Sequence, residues 1–274
     1  SLVRPTSDLR YLQPLLRHET GDQVEWAYGD VNDPPSLRAA CAGVRAVCHL
    51  AGVTKARDGD TYRRVNAEGT RHLLEACLAV APRLERFVLF SSLAAAGPSP
   101  DGHPLDETAP PHPISFYGQS KLQAEAYVQE YEARLPVVIL RPAPVYGPRD
   151  RDIYVYFKMA HRGLALVLPD RRTSLIHVAD LVELSWLALT KEQAIGQTYF
   201  AADGQTYEWT YLARVIAAAL NRRPLYITVP DALLSGLALL IRPLERFARR
   251  PLLLNTQKIR EMQEHYWVCD VSKA

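Results

Sequence analysis

Short runs of Val, Leu and Phe alternate with longer segments of helical period through the first two thirds of the chain. Three runs are mainly apolar rather than alternating: AVCHL at 46–50, which includes one histidine, FVLF at 87–90 and VVIL at 137–140. A strand covered on both faces has apolar residues at every position, and parallel strands need long crossovers that are usually helices. The pattern therefore predicts an α/β fold, a doubly wound parallel sheet of the Rossmann type.

This alternation of strand and helix segments changes near residue 150. We predict that residues 1–150 and 173–202 form a dinucleotide-binding domain. Residues 151–172 and 203–274 are then a smaller, mostly helical substrate lobe. The segment SLIHVADLVELSWLALT predicts a strand and a helix that return to the main sheet. The apolar segment 232–241 can line a hydrophobic pocket or form a core or interfacial helix.

The charge balance argues against nucleic acid as a partner. The chain has 32 basic and 30 acidic residues, a formal charge of +2, and no long basic tract. The densest arginine patch, RPLERFARRP, could touch an anionic lipid, although a solvated helix face is the simpler interpretation. The apolar segment 232–241 is about half of the ~20 residues that span a bilayer, so we expect no membrane span.

The cysteines indicate a reducing compartment. Cys41, Cys48, Cys77 and Cys269 form no CxxC pair and have no metal-ligand spacing, so we expect no metal site. Three of them lie in apolar runs, which predicts buried free thiols. Free thiols favour the cytoplasm.

Polar and small residues follow the predicted strands in order. Asp30 in GDVND can accept a hydrogen bond from an adenine amino group, or belong to the start of the next helix. HLAG ends with small residues that let a flat cofactor approach, and FSS places Ser91 and Ser92 at the carboxyl edge of the sheet, where such folds bind ligands. Tyr117 and Lys121 in FYGQSK are four residues apart and share one helix face.

Seven motifs occur in an order that identifies a family: GDV, HLAG, VNAEGT, FVLFSSLAAAG, YGQSK, LRPAPVYGP and SLIHVADL. The chain resembles the extended short-chain dehydrogenase/reductase family, also called the NAD-dependent epimerase/dehydratase family, and its 3β-hydroxysteroid dehydrogenase-like branch. The resemblance implies a catalytic trio of Ser92, Tyr117 and Lys121. Ser92 is chosen because the family's catalytic hydroxyl lies five residues before the glycine that matches Gly97; Ser91 is then structural.

The trio implies a proton and hydride transfer. A tyrosine pKa of ~10 is too high for a base at neutral pH, and we expect Lys121 with the positive nicotinamide to stabilise the phenolate. Lys121 should also hold the nicotinamide ribose. Ser92 would bind the substrate oxygen while Tyr117 moves its proton and hydride passes between carbon and nicotinamide. Asn66 in VNAEGT matches a family asparagine that organises the helix and water.

The resemblance also implies which residues contact the cofactor. They are Arg4, Asp30, Val31, Leu50, Ala51, Gly52, Tyr117, Lys121, Pro142 and Val145. The sequence opens where the family's second strand ends, so the first β-α unit with its glycine-rich turn is apparently missing from it. Enzymes that use NAD carry an acidic residue near the position of Arg4, whereas an arginine suits a 2′-phosphate, so NADP is slightly favoured over NAD. The alternative is that Arg4 is an ordinary surface arginine.

Departures from the family pattern limit which of the family's reactions we expect. Leu93 and Ala94 replace the Asp-Glu pair of dehydratases, and Pro144 replaces the asparagine of sugar-nucleotide enzymes. We therefore predict an NAD(P)-dependent oxidoreductase acting on a hydrophobic alcohol or ketone, such as a hydroxysteroid. One alternative is a sugar-nucleotide epimerase in which Arg171 or Arg172 binds the diphosphate, and another is a non-catalytic dinucleotide sensor.

Relatives commonly dimerise through the helix of VNAEGTRHLLEACLAV and the Tyr-Lys helix. The resemblance therefore predicts a homodimer whose interface is a four-helix arrangement. The expected binding partner of the site is a small-molecule substrate.

Overall fold

A computed structural model of the chain describes residues 1–12, 24–247, 252 and 255–274. The strands are β1 (Leu2–Val3), β2 (Ala27–Tyr28), β3 (Ala46–His49), β4 (Arg86–Phe90), β5 (Val137–Pro142), β6 (Val145–Tyr146), β7 (Leu164–Val167), β8 (Arg172–Thr173), β9 (Ile176–His177), β10 (Thr198–Ala201), β11 (Tyr207–Glu208), β12 (Leu225–Thr228) and β13 (Tyr266–Trp267). The helices are α1 (Pro34–Cys41), α2 (Gly59–Tyr62), α3 (Gly69–Val80), α4 (Leu93–Ala96), α5 (Phe116–Glu130), α6 (Tyr154–His161), α7 (Val178–Thr190), α8 (Trp209–Ala219), α9 (Asp231–Phe247) and α10 (Thr256–Gln263). A π-helical segment, Arg63–Glu68, joins α2 to α3.

The main sheet has four parallel strands in the order β10-β5-β4-β3. Every residue of β5 is buried, as the continuous run of apolar residues predicted. A separate parallel pair, β1 and β2, aligns Leu2 with Ala27. The predicted parallel α/β sheet is confirmed.

Helices cover both faces of this sheet. On one face, α1, α3 and α5 contribute Leu37, Leu74 and Val128 to a core that also contains Phe87 and Ile139 from the strands. On the other face, residues of α7 pack over β4 and β5. The doubly wound, Rossmann-type architecture is therefore confirmed.

The segment after residue 150 differs from the prediction in one pairing. Strand β9 pairs with β6, through Val145 with Ile176, and not with the main sheet. The reason is that β5 already has β4 on one side and β10 on the other, so no edge of β5 is free for β9. Helix α7 does return to the main sheet, as predicted.

A separate group of elements lies outside the main sheet. Strand β8 lies between β11 and β13, and β7 pairs with β12. Leu168, Leu234 and Ile259 form a small core here, with Trp209 packed against it. This core is distinct from those under the main sheet. Assigning it to substrate binding stays a prediction.

The longest apolar segment lies in α9. Across the described ranges, no helix combines the length and apolar character that a bilayer crossing requires. Leu239 and Leu240 face solvent, so they do not line the hydrophobic pocket predicted for this segment. The arginine patch that follows is described only in part, since residues 248–251 lie outside the described residues.

Candidate active site

The predicted catalytic residues meet at the carboxyl edge of the main sheet. Ser91 and Ser92 follow β4, Pro142 ends β5, and Leu50 follows β3. Because these strands are parallel neighbours, their carboxyl ends lie at the same edge. Helix α5 carries Tyr117 and Lys121 beside this edge, packed against α4.

The two serines have different environments. Ser92 is half-buried at the N-terminus of α4, where its hydroxyl accepts a hydrogen bond from the Ala94 amide at 3.1 Å. Ser91 is buried, and its hydroxyl donates to the Glu125 carboxylate. The hydroxyl of Ser91 is therefore used inside the protein, while Ser92 lies on the side of Tyr117. The catalytic role of Ser92 stays a prediction.

Helix α5 begins at the Tyr-Lys motif itself. The Ser115 hydroxyl caps the helix by accepting a hydrogen bond from the Gly118 amide at 3.2 Å. Gly118 lies so close to α4 that a Cβ atom there would be 2.2 Å from the Ala94 carbonyl oxygen. The absence of a side chain at Gly118 therefore lets Tyr117 approach the turn that carries Ser92.

Tyr117 is half-buried. Its ring packs edge-on against the buried Tyr62, with ring centroids 6.2 Å apart. Burial raises the pKa of Tyr117, and hydrogen bonding to the Ser92 side chain acts in the opposite direction. Burial is the largest influence on this pKa. The lowering that we expect from Lys121 together with a positively charged nicotinamide stays a prediction.

Lys121 is buried one turn along α5. Burial lowers the pKa of its ammonium to about 8, and the negative charge of Glu125 partly opposes this decrease. The Glu125 carboxylate in turn accepts hydrogen bonds from two nitrogens of the buried Arg141. Nη2 lies 2.7 Å from Oε2, and Nε lies 3.0 Å from Oε1. The basic and acidic groups below the site therefore alternate: Lys121, Glu125, Arg141.

A buried histidine also lies near Lys121. His49 ends β3, and its Nε2 is 2.9 Å from the Thr70 hydroxyl, which donates to the Asn66 carbonyl. The ring nitrogen Nε2 must therefore donate to Thr70. Burial, with the charge of Lys121, lowers the pKa of His49 to about 3. His49 is neutral at physiological pH and supports the strand rather than carrying protons.

Asn66 connects the loop after β3 to α5. Its Oδ1 accepts a hydrogen bond from the Val53 amide at 2.7 Å, and its Nδ2 donates to the Ser120 hydroxyl at 2.9 Å. Ser120 donates to the carbonyl of Tyr117. Asn66 lies in the π-helical segment, where the backbone turn is widened. These contacts fit the predicted organising role.

Residues predicted to contact the cofactor lie along the same edge. Leu50, Ala51 and Gly52 are exposed after β3, whereas Pro142 is buried at the end of β5 and Val145 is half-buried in β6. These positions present the backbone after β3 and the end of β5 to one side of the sheet. Their contact with a dinucleotide stays a prediction.

The positions after β1 and β2 form turns. Arg4 is exposed, and its amide donates to the Ser7 hydroxyl at 3.0 Å. The Asp30 carboxylate accepts from the Asn32 amide at 2.8 Å, which supports its alternative role in the turn that leads into α1. Val31 is buried against Gly69, where a Cβ would lie 2.8 Å from the valine side chain. Val31 therefore packs the turn against α3.

Helix α10 reaches the start of α5 from the second group of elements. The Gln257 side chain accepts a hydrogen bond from the Phe116 amide at 3.0 Å, and the charge of Glu261 contributes to the raised pKa of Tyr117. An exposed ion pair between Lys55 and Asp152, 2.7 Å apart, joins the loop after β3 to the segment before α6. Tyr117 therefore lies between the main sheet and α10.

The sequence did not single out Tyr62, His49, Glu125 or α10. A signal existed only for Glu125, which follows Lys121 by four residues on the same face of α5. The other contacts join residues far apart in the chain, and no local pattern marks them.

The two arginines considered for a diphosphate have internal partners. Arg171 is buried, donates from Nε to the Met262 carbonyl at 2.6 Å, and pairs with Asp231. Arg172 lies over the Tyr266 ring, 4.8 Å from its centroid. Arg171 therefore cannot bind a diphosphate without losing these contacts.

The whole chain is similar to known proteins. Residues 6–202 match the family described as the NAD dependent epimerase/dehydratase family. A ceramide reductase of Caulobacter vibrioides is 29% identical over 250 residues, which cover 89% of this chain and 72% of that protein. Sterol demethylase protein B of Methylococcus capsulatus is 31% identical over 276 residues, covering 95% and 79%. The crystal structure of gox2253 is similar with a TM-score of 0.74 and 28% identity, covering all of this chain and 82% of that one.

Proposed function

The chain belongs to the NAD dependent epimerase/dehydratase family, and from that premise we propose that it is an NAD(P)-dependent oxidoreductase acting on a hydrophobic alcohol or ketone. The observation that carries the proposal is the arrangement of Tyr117 beside the Ser92 turn, with Lys121 buried one helical turn away. A tyrosine, a hydroxyl and a cation in this arrangement suit proton transfer at a carbonyl oxygen.

Each residue of the trio has one role in this proposal. In the reducing direction the Tyr117 phenol gives its proton to the carbonyl oxygen, and Ser92 donates a hydrogen bond to that oxygen. A nicotinamide held at this edge of the sheet, with its ribose on Lys121, would supply the hydride for the carbonyl carbon. Lys121, with a pKa of about 8, is mostly protonated at neutral pH and stabilises the phenolate left on Tyr117. Oxidation of the alcohol reverses every transfer.

Several features support a hydrophobic substrate over a sugar nucleotide. The side chains of Leu93 and Ala94, next to Ser92, cannot move a proton in an elimination. The ion pair of Arg171 with Asp231 counts against a diphosphate site at that residue. Two relatives are named as a ceramide reductase and a sterol demethylase protein, and their names refer to lipids.

The cofactor is part of the proposal. The exposed Arg4 after β1 suits a 2′-phosphate, which supports NADP over NAD.

The proposal also covers domains, assembly and location. Residues 151–172 and 203–274 form the substrate lobe, and α3 and α5 form a homodimer interface. The protein works in the cytoplasm. The free thiols of Cys41, Cys77 and Cys269, all buried, are compatible with a reducing compartment.

A nicotinamide absorbance assay tests this function. The full-length protein is mixed with NADPH or NADH and a panel of long-chain ketones, and with the oxidised cofactors and the matching alcohols. We expect net turnover, faster with the phosphorylated cofactor, and a loss of at least roughly a hundredfold in Tyr117→Phe, because the proton donor is removed. Tyr131→Phe, at the far end of the same helix, is the matched control and should keep its rate.

Two results would contradict the proposal. Tyr117→Phe with unchanged turnover would remove the proposed proton donor. No net turnover on any ketone or alcohol, together with interconversion of a sugar nucleotide at unchanged cofactor absorbance, would establish the epimerase instead.

A further inference from the structure

Helix α9 has two apolar sides, and only one of them is covered. Leu234, Leu237 and Ile241 recur at helical spacing and pack into the small core with Leu168 and Ile259. This inward side anchors α9 to the rest of the protein. The opposite side faces solvent.

That solvent side carries four exposed leucines, which we call the outer leucine face: Leu233, Leu239, Leu240 and Leu244. Their exposed fractions are 58%, 71%, 70% and 60%. Leu233, Leu240 and Leu244 are separated by seven and four residues, so they lie along one side of the helix, and Leu239 extends that side. Single exposed leucines are ordinary, but a contiguous row marks a surface that contacts another apolar phase.

The exposed charge beside this face is positive. Both acidic residues of α9 have partners inside the protein: Asp231 pairs with Arg171, and Glu245 accepts hydrogen bonds from the Thr256 amide and hydroxyl at 2.7 and 2.9 Å. Arg242 is exposed. The sequence continues with Arg246, Arg249 and Arg250, whose side chains lie outside the described residues.

We propose that α9 binds the surface of an anionic lipid bilayer. The outer leucine face enters the boundary between headgroups and acyl chains, and Arg242 contacts lipid phosphates. A helix with one apolar side and a basic margin lies in the plane of such an interface, and each nearby Lys or Arg adds attraction to anionic lipid. At 17 residues with Pro243 inside, α9 suits a helix that lies on a bilayer and does not cross it.

A second copy of the chain suits this face less well. A two-fold contact through α9 would bring Arg242 of one copy close to Arg242 of the other, and like charges repel. A stable dimer also needs about 800 Å² on each partner, more than one row of leucines offers.

Vesicle flotation tests the proposal. The full-length protein is mixed with vesicles of phosphatidylcholine alone, or of phosphatidylcholine with phosphatidylglycerol, at low and high salt. We expect the protein to float with the anionic vesicles and less so at high salt. Leu239→Ser with Leu240→Ser should weaken binding by roughly tenfold or more, since two apolar side chains no longer leave water. Arg242→Glu should weaken binding to the anionic vesicles more than to the neutral ones.

Val215→Ser, which replaces an exposed apolar residue of α8, is the matched control and should float like the wild type. Thermal melting must show the same midpoint for the leucine variant, because exposed substitutions change stability little. The proposal is overturned if the wild type does not float at low salt, or if the leucine variant floats equally well. It is also overturned if light scattering shows a dimer that the same substitutions convert to a monomer.

Discussion

Individual buried charges set the chemistry of this site. Glu125 is almost fully buried and serves three neighbours: the Ser91 hydroxyl, the Arg141 guanidinium and, through its charge, Lys121. A buried ion pair adds little net stability, because both groups lose hydration, but breaking one leaves an uncompensated charge. The single carboxylate therefore matters to both stability and the protonation of Lys121.

Replacing Glu125 tests this dependence. Glu125→Gln should lower the free energy of unfolding by about 3 kcal/mol, because Arg141 then has no buried counter-charge. Urea unfolding at neutral pH measures the change. Glu130→Gln, an exposed change on the same helix, should have little effect. Equal stability of both variants would mean that Arg141 finds another partner or reaches water.

His49 makes stability depend on pH. Its pKa of about 3 in the folded protein lies below its ordinary value of 6.5, so the unfolded chain binds the proton more readily. The stability that neutral His49 contributes is full above pH 6.5 and decreases as the pH falls from there toward 3.

Between pH 7 and pH 5, the free energy of unfolding should fall by about 2 kcal/mol more in the wild type than in His49→Gln, which no longer titrates. Urea unfolding at the two pH values gives both differences. His103→Gln, at an exposed position, should keep the pH dependence of the wild type. The same pH dependence in His49→Gln as in the wild type would show that His49 is not the responsible group.

At the scale of elements, the approach of α5 to α4 determines whether Ser92 and Tyr117 can act on one atom. The contact depends on Gly118, whose Cα faces the Ala94 carbonyl. Neither backbone can shift without moving a strand or a helix of the site. Close packing against α4 therefore explains why a glycine follows Tyr117 in the motif.

Gly118→Ala should be destabilising although alanine favours helices, because its Cβ would lie 2.2 Å from a carbonyl oxygen. We expect a loss of about 1–3 kcal/mol in the free energy of unfolding and a larger loss in kcat than in substrate binding. Gly236→Ala in α9, where no atom lies within 4 Å of the new Cβ, is the matched control. It should be neutral or slightly stabilising. A Gly118→Ala variant as stable and active as the wild type would contradict this packing argument.

At the scale of the whole molecule, the proposed homodimer places α3 and α5 of two copies together. Ala126 is exposed on α5, on the side away from Tyr117 and Lys121. Light scattering of the full-length protein should give twice the monomer mass, and Ala126→Arg should shift it toward the monomer. Ala218→Arg on α8 is the control, since Ala218 is exposed on another helix. A wild-type monomer would end the proposal.

The class of fold and the family follow from the order of the residues alone. Continuous apolar strands predict a covered parallel sheet, and this is a local property that a window of residues records. Strands β4 and β5 are buried along nearly their whole length, whereas β3, at the edge of the sheet, leaves Ala46 and Cys48 exposed. The order of motifs such as YGQSK and HLAG likewise identifies the family without a structure.

The contacts that surround these motifs could not be predicted before the packed fold was known. The pairing of β9 with β6, the contacts of Glu125 with Arg141 and of Arg171 with Asp231, and the placement of α10 beside Tyr117 join residues distant in the chain. The raised pKa of Tyr117 and the exposed leucines of α9 have the same origin. Burial depends on what packs against a residue, and that is settled only when the elements have come together.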